Sequence, residues 1–583
     1  MTRAMDVSTI AKAAFRRLFA GNALPAVVTW LVAGFILLLL AIVLWMTFIP
    51  GLPGEPGWTL DNYREVGTDA RVRRVLLNTI FVGLGTVLVT LFFSIPMAWL
   101  VHRTDMPFKD FIMTAIALTV LVPGFLKAMG WIVLLSKNIG IINLYINSFF
   151  GLQESLFNIE SIWGIAFVQG LILTPTLFFL VSGPMKSLDP ALEEAAAISG
   201  AGKIKTILRI SFPLVWPAAL GGAIYTFMTA ISMYEVVALI GGGRIGVLAT
   251  ELFFYTQPEA GLPRYGKAGV LGMMMIIPSL VALVFYFMTI KQSHRYQVVT
   301  GKGYRPKMFP LGPWRYPSLL FSLLYALLAV GFPFIVLCWV SLLPSIKLPS
   351  AQALSQISLI HYGRVWLLLG GMPVVLNTVY LVVGVAFLGL ATGFFYSWIV
   401  VKTKTRGRMF LDTVAMLPHA IPGLAFAFGL AVFGMLASRW LDWPFYGTIA
   451  IIMVANIVNR VSWLTRVTNA ALLQVHVELE EAAFICGAPK LTTMWRIMVP
   501  LVRPSIIFAG LWSGMLAFRE VTMALMLLSP TNQVVATKIW TQWLGGYSGP
   551  AASMGVIVIL FSGVFLYVLQ RSLGLKLVEL RVG

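Results

Sequence analysis

Leu192 to Pro217 reads LEEAAAISGAGKIKTILRISFPLVWP, and Leu479 to Pro504 reads LEEAAFICGAPKLTTMWRIMVPLVRP. At a constant offset of 287, 16 of the 26 positions are identical. The shared residues include Glu193/Glu480, Glu194/Glu481, Ala195/Ala482, Ala196/Ala483, Gly200/Gly487, Arg209/Arg496, Pro213/Pro500 and Pro217/Pro504. A polar unit repeated between apolar blocks points to one task carried out in two places.

The surrounding chain is far more apolar. Of 583 residues, 59% are hydrophobic and only 11% charged, and the mean hydropathy is +0.89, which excludes an ordinary soluble domain. Apolar runs of about 20 residues recur throughout, each long enough to cross a bilayer as a helix. The first, Val27–Phe48, is too long for a signal-peptide core and lacks a small-residue cleavage site, so it reads as a retained span. The formal charge of +20 is the Lys and Arg excess of loops beside a membrane, and no nucleic-acid partner is expected. Cys338 falls in a predicted span and Cys486 in a predicted loop, with neither a disulfide nor a metal site implied.

The runs predict spans at 26–48, 75–101, 110–135, 161–184, 213–240 and 267–290, then at 318–342, 371–401, 410–437, 446–467, 501–528 and 551–570. The expected fold is an all-α polytopic membrane protein of about 12 helices in two six-helix repeats. Residues 1–290 form the first domain, 291–317 a basic linker and 318–583 the second domain. The halves also match outside the opening stretch. Tyr63, Asn78-Thr79 and Pro123-Gly124 align with Tyr362, Asn377-Thr378 and Pro422-Gly423 at an offset of 299, and Glu235 aligns with Glu520 at 285. An even number of spans per half makes the duplication parallel. With Lys267 and Arg503 counted in the loops they border, 26 of the 42 Lys and Arg lie on the side of the N-terminus and 12 on the other. Both termini and the linker are therefore expected in the cytoplasm. The exception is the external cluster Arg71, Arg73 and Arg74, for which Asp61, Glu65 and Asp69 are the nearby acids.

Both repeated stretches fall in predicted cytoplasmic loops, 186–213 and 468–500. In the first, Asp189-Pro190 is a helix start, and Glu193 and Glu194 lie in early turns, where carboxylates suit the positive end of the dipole. Ala195 and Ala196 allow close approach by another protein, and Gly200 is placed to end the helix, as Gly487 is in the second copy. His476 and Val477 replace Asp189 and Pro190 in the second copy, which weakens the helix start there. Glu-Ala-Ala, a later Gly and then hydrophobic-x-x-Pro resembles the signature loop of ATP-binding cassette (ABC) importer permeases. The resemblance covers nearly the whole chain, and fused two-domain permeases are similar to the ferric-iron, thiamine and polyamine/phosphonate group. It implies a permease fold in the bacterial cytoplasmic membrane, with two copies of a cytoplasmic ABC ATPase docking at Glu193, Glu194, Ala195, Ala196 and Gly200 and at Glu480, Glu481, Ala482, Ala483 and Gly487. It also implies a periplasmic or lipid-anchored solute-binding protein. Among the substrates of that group, ferric iron is the first expectation.

No cofactor is expected in this chain; ATP and magnesium belong to the ATPase partner. Ser199–Ile204, SGAGKI, imitates a P-loop but has Ala197 in place of the first glycine and Ile204 in place of the hydroxyl. Ionisable groups within spans suggest function because they are costly there. They are Lys127, Glu235, Arg460, Arg466, Arg519 and Glu520. Glu235 and Glu520 hold matching places in the fifth spans, where they either line a pathway or pair with Arg519. Arg460 faces Leu173 in the alignment, and Asn456 faces Gln169. Gly389-x-x-x-Gly393 and Gly510-x-x-x-Gly514 read as packing faces. Two rival readings are a secondary transporter of six plus six helices and an intramembrane enzyme. Against them, His102–Pro107 is a poor match to the basic Gly-Asp-Arg loop of the former, and five scattered histidines offer the latter no constellation.

Overall fold

The computed structural model describes residues 23–188, 195–196, 198–200, 202–258, 261–293 and 308–572. Among them the regular elements are helices, apart from one isolated bridge between Thr104 and Phe309. In the first half they include α1 (Ala23–Met46), α2 (Ala70–Arg103), α3 (Lys109–Leu121), α4 (Gly124–Leu135), α5 (Ile162–Ser187), α6 (Phe212–Ser232), α7 (Tyr234–Gly241) and α8 (Tyr265–Ser293). Those of the second half include α9 (Arg315–Ala326), α10 (Phe332–Ser341), α11 (Met372–Lys402), α12 (Arg408–Ala420), α13 (Gly423–Trp440), α14 (Ile449–Leu473), α15 (Val477–Ile485), α16 (Val499–Phe518), α17 (Thr522–Met526) and α18 (Ser548–Ser572).

Ten described helices are long and apolar enough to span a membrane, eleven if α3 and α4 count as one bent span. The remaining expected span is α14, a helix of 25 residues whose composition is too polar for the same test. Its Asn456 and Arg460 are buried against neighbouring helices. The third span bends by 98° between α3 and α4. The cause is Pro123: the residue before a proline is driven out of the helical region, and Val122 adopts φ −71°, ψ 124°. Ile421, before Pro422, does the same at φ −90°, ψ 136°.

Within each half the second and fourth spans form the main pair. Thr86 donates to Gln169 Oε1 at 3.0 Å between α2 and α5, and Ser397 donates to the Thr465 carbonyl at 3.2 Å between α11 and α14. Gly389 and Gly393 lie against Leu464, and Gly510 and Gly514 against the α11 backbone, so both small-residue faces pack helices. The first span of each half crosses to the other half. Trp30 stacks on Phe410 and Phe35 meets Phe433 edge-on, while Tyr325 donates to the Leu171 carbonyl at 3.1 Å. Two glycines 299 apart allow these crossings. A Cβ on Gly130 would lie 2.6 Å from Pro333 Cα, and one on Gly429 would lie 2.8 Å from the Leu39 carbonyl oxygen.

Candidate functional site

The two repeated loops share one backbone plan. Gly200 and Gly487 take φ of +78° and +76°, the left-handed turn that ends a helix, with open space where a Cβ would point. Each loop then rejoins its fifth span through a π-helical turn in the same register, Ile207–Ser211 and Met494–Met498. Asp189, Pro190, Glu193 and Glu194 lie outside the described residues. In the second copy α15 begins after His476, without a side-chain cap and with Glu478 and Glu480 in its first turn. The loss of Asp-Pro therefore does not prevent the helix, because carboxylates near the positive dipole end support it.

The alanines divide in the same way in both copies: Ala195 and Ala482 are exposed, Ala196 and Ala483 buried. Glu481 is exposed and Glu480 half-buried. The sequence reading missed Ile198 and Ile485, matched at 287 and 88% and 84% exposed, with Phe484 also exposed. Their identity at matching places was visible in the alignment, but an apolar residue in an apolar chain carries no signal until its exposure is known.

A second cluster gathers where the third and fifth spans are interrupted. The fifth span of the first half breaks at Met233, between α6 and α7, and that of the second half at residues 519–521, between α16 and α17. Glu235 accepts a hydrogen bond from the Thr522 hydroxyl of the other half. A Cβ on Gly124 would lie 3.3 Å from Glu235 Oε1, so the carboxylate sits at the bend of the third span. Glu520 accepts from the Met523 amide at 3.0 and 3.1 Å. Arg519 donates to the Val120 carbonyl across the halves. No ion pair joins Arg519 to Glu235 or Glu520, so the salt-bridge alternative is not what this structure adopts. Arg460 stays on its own helix, donating to Asn456 Oδ1 at 2.7 Å and to its carbonyl at 3.2 Å, while its Nε is buried without a partner. Gln169 bridges Thr86 and the Met233 carbonyl, at 3.0 and 3.5 Å. Lys127, 1% exposed, donates to the Thr119 carbonyl at 2.7 Å, which the bend leaves without a helical donor. His419 stacks on Tyr225 of the other half with ring centroids 4.4 Å apart.

Two other sequence motifs act at the start of the second spans. Asn78 donates to the Gly246 carbonyl at 3.0 Å, and Thr79 accepts from the Leu248 amide at 2.9 Å. Asn377 and Thr378 do the same to Thr531, Gln533 and Val535, at 2.9, 3.1 and 3.0 Å. Each Asn-Thr pins the segment that follows the fifth span. The Arg71 cluster is balanced differently from the expectation: Arg71 pairs with Glu251 at 2.9 Å, and Glu65 with Lys267. Arg466 pairs with Asp412 at 2.8 Å.

The profile of the binding-protein-dependent transport system inner membrane component matches the chain twice, over residues 90–295 and 385–578. The chain is 27% identical over 495 residues to a ferric transport system permease protein FbpB of Actinobacillus pleuropneumoniae, covering 83% of this chain and 69% of that one. It is 25% identical over 474 residues to a putative ferric transport system permease protein FbpB 1 of Haemophilus influenzae, covering 80% and 72%. Among solved structures, a bacterial alginate ABC transporter in complex with an alginate-bound periplasmic protein aligns at 19% identity and a TM-score of 0.34, over 40% of this chain and 82% of that one. Two repeats of one permease unit, in a helical chain of many spans, leave one conclusion about kinship: this multi-pass protein belongs to the family of inner membrane components of binding-protein-dependent transport systems, as a fused two-domain permease of the ABC importer type.

Proposed function

We propose that this chain forms the solute pathway of its importer and is driven by two ATPase subunits that dock on the Glu-Ala-Ala loops. The observation that carries the reading is the shared plan of the two loops: a helix ending in a left-handed glycine, an exposed alanine and an exposed isoleucine, repeated at a register of 287. The Lys and Arg bias puts both loops, both termini and the linker in the cytoplasm. Hydrolysis occurs in the partner, which holds ATP and magnesium. The relatives named for ferric transport support ferric iron or a related small solute as the substrate, delivered by an external binding protein.

Removing a carboxylate from a partly buried charge pair at an interface costs on the order of 2–5 kcal/mol. That weakens docking by a factor of tens to thousands. Glu194→Ala with Glu481→Ala is therefore expected to strip the ATPase from the inserted permease in a pull-down and to abolish uptake. Unchanged association and uptake would end the coupling reading. The substrate is tested by which loaded binding protein (ferric, thiamine, polyamine or phosphonate) stimulates ATP hydrolysis by the assembled complex. Within the pathway, Glu235→Gln and Glu520→Gln should reduce uptake with the ATPase still attached. Loss of the folded protein instead would assign both carboxylates a structural role.

A further inference from the structure

Arg103 and Lys402 end α2 and α11, 299 positions apart. Each donates to the carbonyl at the start of its Glu-Ala-Ala loop: Arg103 to Leu188 at 3.1 Å, Lys402 to Val475 at 3.2 Å. Leu188 and Val475 are themselves matched at 287. In the second half the same ammonium also holds Glu480 at 2.7 Å, with 8% of the lysine side chain and 24% of the glutamate side chain exposed. Glu481, the next residue, is exposed and has no ion-pair partner among the described residues. Glu193, matched to Glu480, lies outside them.

We propose that the two adjacent glutamates of the second loop, Glu480 and Glu481, have separate tasks. The second meets the partner protein, and the first is a strut clamped by the terminal cation of the second span. Lys402 is then a positioning residue, which turns the second span of that half into a rod with both ends fastened. Its inner end holds the loop through Lys402–Glu480 and its outer end holds the segment after the fifth span through Asn377-Thr378. A helix of 31 residues such as α11 reaches about 46 Å, enough to join the two membrane faces. A displacement of the loop on docking is thereby passed to the outer face by a stiff element. The inference rests on the coupling reading and adds a route to it.

The test uses the complete complex and three readouts: ATPase retained in a pull-down, basal hydrolysis, and stimulation by loaded binding protein. Lys402→Met should retain the ATPase and its basal rate but lose stimulation and uptake by roughly tenfold, within the span of known coupling free energies. Lys402→Arg should behave as wild type, and the exchange Lys402→Glu with Glu480→Lys should restore most of the stimulation. Asn377→Ala, at the other end of the rod, should reproduce the uncoupled state. Stimulation within twofold of wild type in Lys402→Met would overturn the strut. Loss of the ATPase from that variant would also overturn it, placing the pair on the docking face. Should Lys402→Met fail to accumulate, the charge exchange decides alone, and its failure to restore stimulation in a folded protein counts against the proposal. The double variant Glu194→Ala with Glu481→Ala separates the two ideas. If it keeps its ATPase, the coupling reading itself fails; if it loses the ATPase while Lys402→Met is wild type, only the strut fails.

Discussion

In the first half the fifth span breaks at Met233, and Glu235, in the first turn of α7, takes a hydrogen bond from Thr522 of the other half. In the second half the break falls beside Glu520, which turns back to bond the Met523 amide at the start of α17. The two glutamates align at 285, but one joins the halves and the other caps its own helix. The difference follows from neighbours. Thr522 is matched by Val237, which has no hydroxyl to offer, and Arg519 is matched by Tyr234. A duplicated backbone break thus supplies two positions for a carboxylate, and the local side chains decide what each is used for.

The largest test of this contrast is at Arg519. Arg519→Met removes the donor to the Val120 carbonyl, leaving a half-buried acceptor unsatisfied. A loss of about 2–3 kcal/mol is expected, read as a fall in thermal unfolding temperature in detergent. Tyr234→Phe at the matched site should cost far less, and equal losses would remove the asymmetry. Next is Glu520→Ala, which deletes a helix cap and should cost about 1 kcal/mol, whereas Glu520→Gln keeps an acceptor for the Met523 amide and should stay close to wild type. If Gln and Ala destabilise equally, charge rather than capping holds Glu520. Smaller still, Thr522→Val should cost about 0.5–1 kcal/mol by removing the bond across the halves, and Val237→Thr should not supply a replacement.

The smallest effect concerns the loop that follows α2. Asp105, in the loop between α2 and α3, accepts hydrogen bonds from the Arg315 guanidinium and from the Leu311 amide at 2.8 Å. The Arg315 bond is the main cause of a carboxyl pKa lowered from 3.8 to about 2. A depressed acid stabilises the fold above its unfolded value and loses that contribution as pH falls through its folded value. Protection of the Leu311 amide from hydrogen exchange, corrected for intrinsic rate, should therefore be flat from pH 8 to pH 5 and be lost in Asp105→Ala. A decline already at pH 6 would show that another group holds the segment. The second half has Lys404 at the matched position, so Lys404→Ala is the control and should leave this protection unchanged.

Much of the molecule could be read from its letters, for identifiable reasons. The spans stand out because hydrocarbon tolerates only long apolar helices. The turns at Gly200 and Gly487 were legible because a left-handed residue after a helix favours glycine, whereas the span 110–135 read as continuous although proline constrains the residue before it. The cap made by Glu520 was not legible, since it depends on where the helix restarts. Nor was the bond from Arg519 to Val120, which joins residues 399 positions apart. Arg460 is folded back on Asn456, a partner one turn away that the sequence displayed but did not select.

What the sequence by itself determined is the set of elements and their repetition: apolar length sets the spans, the offsets of 299, 287 and 285 set the duplication, and proline and glycine set the third-span breaks and the loop turns. These are local properties, governed by backbone sterics and transfer from water. Only the tertiary structure decided which side chains face one another. It brought the first span of each half over Gly130 or Gly429 of the other, gave Glu480 to Lys402 while leaving Glu481 exposed, and sent Thr522 to Glu235. Within a bilayer-spanning bundle nearly every face is apolar, so hydropathy does not separate a lipid-facing side from a helix-facing one. Partner choice falls instead to close packing at small residues and to the few polar atoms that must find a donor or acceptor.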